Sequence, residues 1–238
     1  MNQDLARPSR RAAFVATGGL FAAGLTLSGC GGKAARTAEL EVSADEGLMR
    51  GHAVLRRILV IYREAAGWLA AGKTDFDAGA LGQAGDLFRA FGEDYLERQL
   101  QEPHVFVPLQ KAGGPAAAMV PVLLAQHNRG REVTAFVRAR CEAGRIAPAD
   151  AGGLARALQD FARMYEAHAA IEDTVVFPAW RQSLSDAERQ AAAAQFQQIE
   201  RSHFDGDAFG VVAGQVAQIE QKLGLADLAR FTAAAVGG

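Results

Sequence analysis

The stretch from Tyr165 to Trp180, YEAHAAIEDTVVFPAW, constrains the rest of the chain most. His168 and Glu172 stand four residues apart, with no helix breaker before Pro178. On an α-helix that spacing puts both side chains on one face, one above the other. Phe161, Met164, Ile171, Val175 and Val176 flank the pair, so the face is expected to point inward. A buried imidazole and a buried carboxylate each need a partner. A metal ion supplies one to both.

Helix is expected throughout. Ala and Leu dominate, β-branched runs are short, and half of the residues are hydrophobic. A net charge of −2 without a basic block argues against nucleic acid as a partner. Ser43 or Asp45 is placed to cap a first helix that ends near Gly72. Leu48, His52, Leu55, Leu59, Tyr62 and Ala66 form its apolar stripe, with His52 inside it. A second helix is expected over 80–102, stopped or kinked by Pro103. A third starts at Pro115, runs to about Glu142 and carries His127 among Met119, Leu123, Val133 and Phe136. A fourth covers 153–177, a fifth begins at the Ser185-Asp186 cap and runs to about His203, and a sixth ends near Leu223.

The front of the chain reads as an address. Arg7, Arg10 and Arg11 precede an apolar run from Ala12 to Leu27 that is short for a membrane span. Ser9-Arg10-Arg11-Ala12-Ala13-Phe14 resembles a twin-arginine export signal. Leu27-Ser28-Gly29-Cys30 resembles a bacterial lipobox, which implies lipidation of Cys30 and attachment to the membrane on the periplasmic side of a bacterial envelope. Twin-arginine export carries folded proteins, often with a cofactor already inserted, and that suits a prefilled metal site. The expected organisation is an export signal over 1–30, a flexible tether over 31–44, a helical body over 45–225 and a tail over 226–238. The other cysteine is Cys141, so an intrachain disulfide and a CxxC metal motif are both excluded once Cys30 is lipidated.

A weak internal repeat relates the helices. Residues 93–106, EDYLERQLQEPHVF, lie over residues 164–177, MYEAHAAIEDTVVF. His52 and His127 then occupy matching places on the helix preceding each copy. Two such helix pairs make a four-helix bundle whose core site draws ligands from every helix.

On these pieces the chain resembles a hemerythrin-like (HHE cation-binding) domain. The matching segments are Gly51-His52-Ala53-Val54-Leu55-Arg56-Arg57, Gln126-His127-Asn128-Arg129-Gly130-Arg131-Glu132, and His168-Ala169-Ala170-Ile171-Glu172 followed by Val176-Phe177-Pro178. Ile199-Glu200-Arg201 through Gly206 and Phe209 resembles the family's extension, so the likeness covers about Glu46 to Leu225. It implies an all-α, up-down four-helix bundle with additional C-terminal helices. It also implies a non-haem iron centre with one or two ions, which takes O2 or another small diatomic ligand.

The second helix departs from the pattern, which asks there for His and Glu four apart. Anchored on Phe106, the alignment puts Glu97 in the His slot and Gln101 in the Glu slot. Anchored on Asp94-Tyr95, it puts Leu96 and Leu100 there, which bind nothing. The internal repeat favours the first. The expected metal set is then His52, Glu97, His127, His168 and Glu172, with Gln101 as a support that orients a ligand. A neutral amide bridges two ions poorly. One ion on His127, His168 and Glu172 is therefore the minimal site, with His52 and Glu97 able to hold a second more loosely.

Other patterns carry less. His104 reads as loop, and the single Glu200-x-x-His203 lacks the second copy that a ferritin-like site needs. Tyr62, Tyr95 and Tyr165 read as aromatic core. Gly67 to Thr74 satisfies GxxxxGK[ST], but a helical stripe runs into it where a phosphate loop needs a preceding strand. Nothing identifies a substrate, a proton relay or a redox partner, so no catalytic activity is assigned. A bundle without metal, acting as a structural or partner-binding lipoprotein, is the competing expectation.

Overall fold

A computed structural model describes residues 42–204 and 206–236. Cys30, the export signal and most of the tether lie outside them. The described residues are helical and contain no strand.

Four long rods form the body. The first is α1 (Ala44–Ala70). The second joins α2 (Ala78–Leu87), a π-helical segment π1 (Phe88–Phe106) and α3 (Val107–Ala112) without a break. The third is α4 (Pro115–Cys141). The fourth joins α5 (Pro148–Ile171), a π-helical turn π2 (Glu172–Val176) and α6 (Phe177–Ser183). α1 packs against the second and fourth rods, and α4 packs against the same two from the other side. Two further helices cover the outside. α7 (Asp186–His203) lies against α1 and π1, and α8 (Ala208–Lys222) lies against α1 and α2. None of the described helices is long and apolar enough to cross a membrane.

The stripe on α1 is buried as expected, with Leu48, His52, Leu55, Leu59, Tyr62 and Ala66 all inside. Phe88, Phe161 and Tyr165 cluster below the histidines, with the Phe88 ring edge-on to Phe161 at 4.9 Å and to Tyr165 at 4.8 Å between ring centroids. Burying each such side chain contributes about 2 kcal/mol. α1 and π1 approach closely at Gly51, where a Cβ would meet Leu96 Cδ1 at 2.6 Å.

Caps explain several ends. Ser185 and Glu188 form a capping box at the start of α7. Ser43 is the N-cap of α1 but makes no side-chain bond to it, and Asp45 instead faces Arg181 at 3.3 Å. After α1, Gly72 turns the chain at φ +77°, and Lys73 Nζ lies over the Trp68 ring. The GxxxxGK[ST] segment is thus a helix end.

Neither Pro103 nor Pro178 ends its helix, which corrects the stop expected at each. Pro103 does not stop the second rod, which continues to Ala112. In π winding the backbone bond skips to the fifth residue, which relieves the ring's clash with the carbonyl four residues back. The fourth rod also passes Pro178, which sits in the first turn of α6 and does not end the rod. His104, expected in a loop, lies within π1 with its ring 5.9 Å from Phe196.

Candidate metal centre

The four rods bring His52, Glu97, Gln101, His127, His168 and Glu172 inside together, each at most 2% exposed. Glu172 Oε2 is the hub. His52 Nε2 lies 3.2 Å from it, His168 Nε2 3.3 Å, and Gln101 Nε2 3.1 Å. His127 Nε2 lies 3.1 Å from His168 Nε2.

Each imidazole is held from behind by an oxygen on its other nitrogen. His52 Nδ1 donates to Asp173 Oδ1 at 2.7 Å, and His127 Nδ1 donates to Glu102 Oε1 at 2.9 Å. His168 Nδ1 donates to Gln126 Oε1 at 3.0 Å. Carboxylates and the Gln126 amide oxygen accept and do not donate, so these partners place a proton on each Nδ1, and the Nε2 lone pairs of His127 and His168 turn inward, while His52 Nε2 faces the Glu172 carboxylate. Outer oxygens of this kind orient histidines that bind metals. The Nε2 atoms of His127 and His168 lie 3.1 Å apart, close enough to face one cation together. Glu172 Oε1 and Gln101 Oε1 are buried without a partner. The donor set therefore fits a metal ion.

Sequence reasoning missed the outer residues, and the π-helical winding explains why. In that winding, residues four and five places along both return toward the starting face. Gln101 and Glu102 thus both follow Glu97 inward, and Glu172 and Asp173 both follow His168. A strict four-residue reading finds the first of each pair and discards the second.

The internal repeat is visible in these contacts. Asp173 holds His52 and is paired with Arg56, one turn beyond His52. Glu102 holds His127 and is paired with Arg131, one turn beyond His127. Phe177 stacks on His52 at 5.5 Å, and Phe106 stacks on His127 at 5.4 Å. The outer layer keeps the twofold relation. The inner layer breaks it, with His168 opposite Glu97 and Glu172 opposite Gln101.

Electrostatics follow the geometry. Burial would raise the Glu172 carboxyl, but His168 and His52 hold it well below the usual range. Burial would lower His52, yet hydrogen bonds and charge from Asp173 and Glu172 raise it to about 9. Burial lowers His127 despite Glu102. Its hydrogen bond, with that from Arg131, holds Glu102 at about 2. Burial pushes Glu97 well above the usual carboxylate range against the pull of Arg131, which donates to it at 3.0 Å.

Among the described residues, two sets have ligand atoms within 4.8 Å of one another: His127, His168 and Glu172, and Glu97, Glu102 and His127. Of the tyrosines, Tyr165 lines the site, stacked 5.2 Å from His168 with its hydroxyl buried and unpartnered. Tyr62 and Tyr95 pack elsewhere, against Phe88 and Phe204. Glu200 accepts from the Ala208 N–H at 2.9 Å and so caps α8, while His203 is exposed. Cys141 is a buried thiol pushed up to about 11 by that burial.

Fold and site together define an all-helical protein with buried histidine–carboxylate clusters able to hold a metal ion. The chain is 42% identical over 195 residues to "Uncharacterized protein Rv1995" of Mycobacterium tuberculosis (strain ATCC 25618 / H37Rv), spanning 82% of this chain and 75% of that protein. The same figures relate it to "Uncharacterized protein Mb2018" of Mycobacterium bovis. The chain belongs to the family of these mycobacterial proteins. No protein-family model matches it, and no solved structure does.

Proposed function

We propose that this is an exported, lipid-anchored metal-binding protein built as a hemerythrin-like four-helix bundle. The 3.1 Å approach of His127 Nε2 and His168 Nε2, beside Glu172 Oε2, carries the reading. Two imidazoles and one carboxylate, with open positions, suit non-haem iron. When bound, iron would supply redox exchange and an open position for O2 or another small diatomic molecule. The role is binding, storage or sensing linked to oxygen or redox state.

The chain's own residues orient and shield that ion. Gln126 and Glu102 fix the two imidazoles, Tyr165 and Phe106 cover them, and the rods exclude water. Anchorage through Cys30 would hold the bundle at the membrane on the periplasmic side, consistent with the Arg10-Arg11 and Leu27-to-Cys30 motifs. Metal analysis of protein matured in its native host tests the reading. About one equivalent or more of iron, lost in His168→Ala, is expected. Less than about half an equivalent, unchanged by the substitution, overturns it.

A metal-free, partner-binding lipoprotein is the second reading. Gln101 favours it, because its amide donates to Glu172 Oε2 at 3.1 Å without any metal. A chelator that lowers the melting temperature of the isolated protein excludes that form.

A further inference from the structure

We infer that the centre takes a single cation, because side chains of this protein already fill the places a second one would need. The inference rests on the metal-binding reading above and fixes the number of ions.

The first place lies between His52 and Glu172. Gln101 Nε2 stands there, 3.1 Å from His52 Nε2 and 3.1 Å from Glu172 Oε2. An amide nitrogen carries two hydrogens and no lone pair for a metal. It donates to Glu172 Oε2, the same oxygen that His52 Nε2 faces at 3.2 Å, so it stands in the gap that a second ion would fill between them. The rotated amide would bring its oxygen against the Glu172 carboxylate, so the observed orientation is the favoured one. His52 meanwhile is engaged at both nitrogens, by Asp173 at 2.7 Å and by Glu172 at 3.2 Å.

The second place is the acidic pocket of Glu97, Glu102 and His127 Nδ1. The Arg131 guanidinium occupies it. Its Nη2 lies 3.0 Å from Glu97 Oε2 and also pairs with Glu102. Arg131 is 12% exposed, so the charge is fixed inside the protein. A guanidinium stays charged at any physiological pH. It neutralises these carboxylates and repels a second cation. Arg56, its counterpart in the repeat, pairs with Asp173 and reaches no inner ligand. This difference matches the broken inner symmetry, and it leaves His127, His168 and Glu172 as the set that would hold the ion.

Titration with Co2+ followed by dialysis and metal analysis tests the inference, with circular dichroism confirming the fold of each variant. Wild type is expected to retain one equivalent, His168→Gln under a tenth of one, and His52→Gln one. Gln101→Glu, which replaces the amide by an anionic oxygen, is expected to take up a second equivalent. Two equivalents on the wild type overturn the inference even if His52→Gln fails to fold. Loss of the ion from folded His52→Gln, or a folded Gln101→Glu that stops at one, overturns it as well. No metal on wild type or on any variant instead overturns the metal-binding reading itself.

Discussion

Asp173 accepts a hydrogen bond from His52 Nδ1 across 2.7 Å, from the fourth rod to the first, with the imidazole wholly shielded from water. The pair makes the metal-free protein sensitive to alkali. His52 sits at about 9 when folded against 6.5 when unfolded. Its stabilisation is complete below the unfolded value and is lost as pH rises through the folded one. In chelator, stability should hold up to about pH 6.5 and fall between there and about 9, by on the order of 3 kcal/mol. His52→Gln should flatten that slope, and thermal melts across the range would show it.

Arg131 and Arg56 occupy equivalent places in the repeat yet should differ in weight. Arg131 is 12% exposed and serves Glu97 and Glu102, whereas Arg56 is 42% exposed and serves Asp173. Arg131→Met leaves buried oxygens without donors and should cost about 2 kcal/mol. Arg56→Met should cost under about 1 kcal/mol. Urea midpoints of the two variants would test the order.

Gly51 admits Leu96 between α1 and π1. Gly51→Ala places a Cβ 2.6 Å from Leu96 Cδ1 and forces that side chain to move. The helix gains from Ala, but crowding should win by about 1 kcal/mol. Leu96→Val in the same chain should recover part of the loss, so a thermodynamic cycle should be non-additive.

Cys30→Ala should move the protein from the membrane pellet to the soluble envelope fraction. The lipobox reading of Leu27 to Cys30 fails if the variant stays in the pellet to the same extent.

Much of the inner centre is legible in the sequence. Periodicity alone puts His52 on a buried stripe, and a four-residue step puts His168 beside Glu172. The internal repeat puts Glu97 and Gln101 inside, where a shift of register would choose Leu96 and Leu100. The outer layer is not legible. Glu102 and Asp173 directly follow inward residues, a spacing that does not share a face in an ordinary helix. Their roles depend on π winding, which leaves no simple mark in sequence. Gln126 and Arg131 flank His127 within one motif, but their service to His168 and Glu97 depends on which rods are neighbours. His104 escapes a sequence reading for the same reason as Pro103, through the expectation that a proline ends a helix.

Between Phe88 and Phe106 the chain should accept substitution more readily than a change of length. Arg98 and Gln99 face outward and are free to vary. Glu97, Gln101 and Glu102 meet Arg131, Glu172 and His127, three partners on two other rods. Dropping one residue between Glu97 and Gln101 would swing the amide and the neighbouring carboxylate out of register together. A gap there would cost more than any single replacement, and the ruler that sets the interior is the count of residues along this one segment.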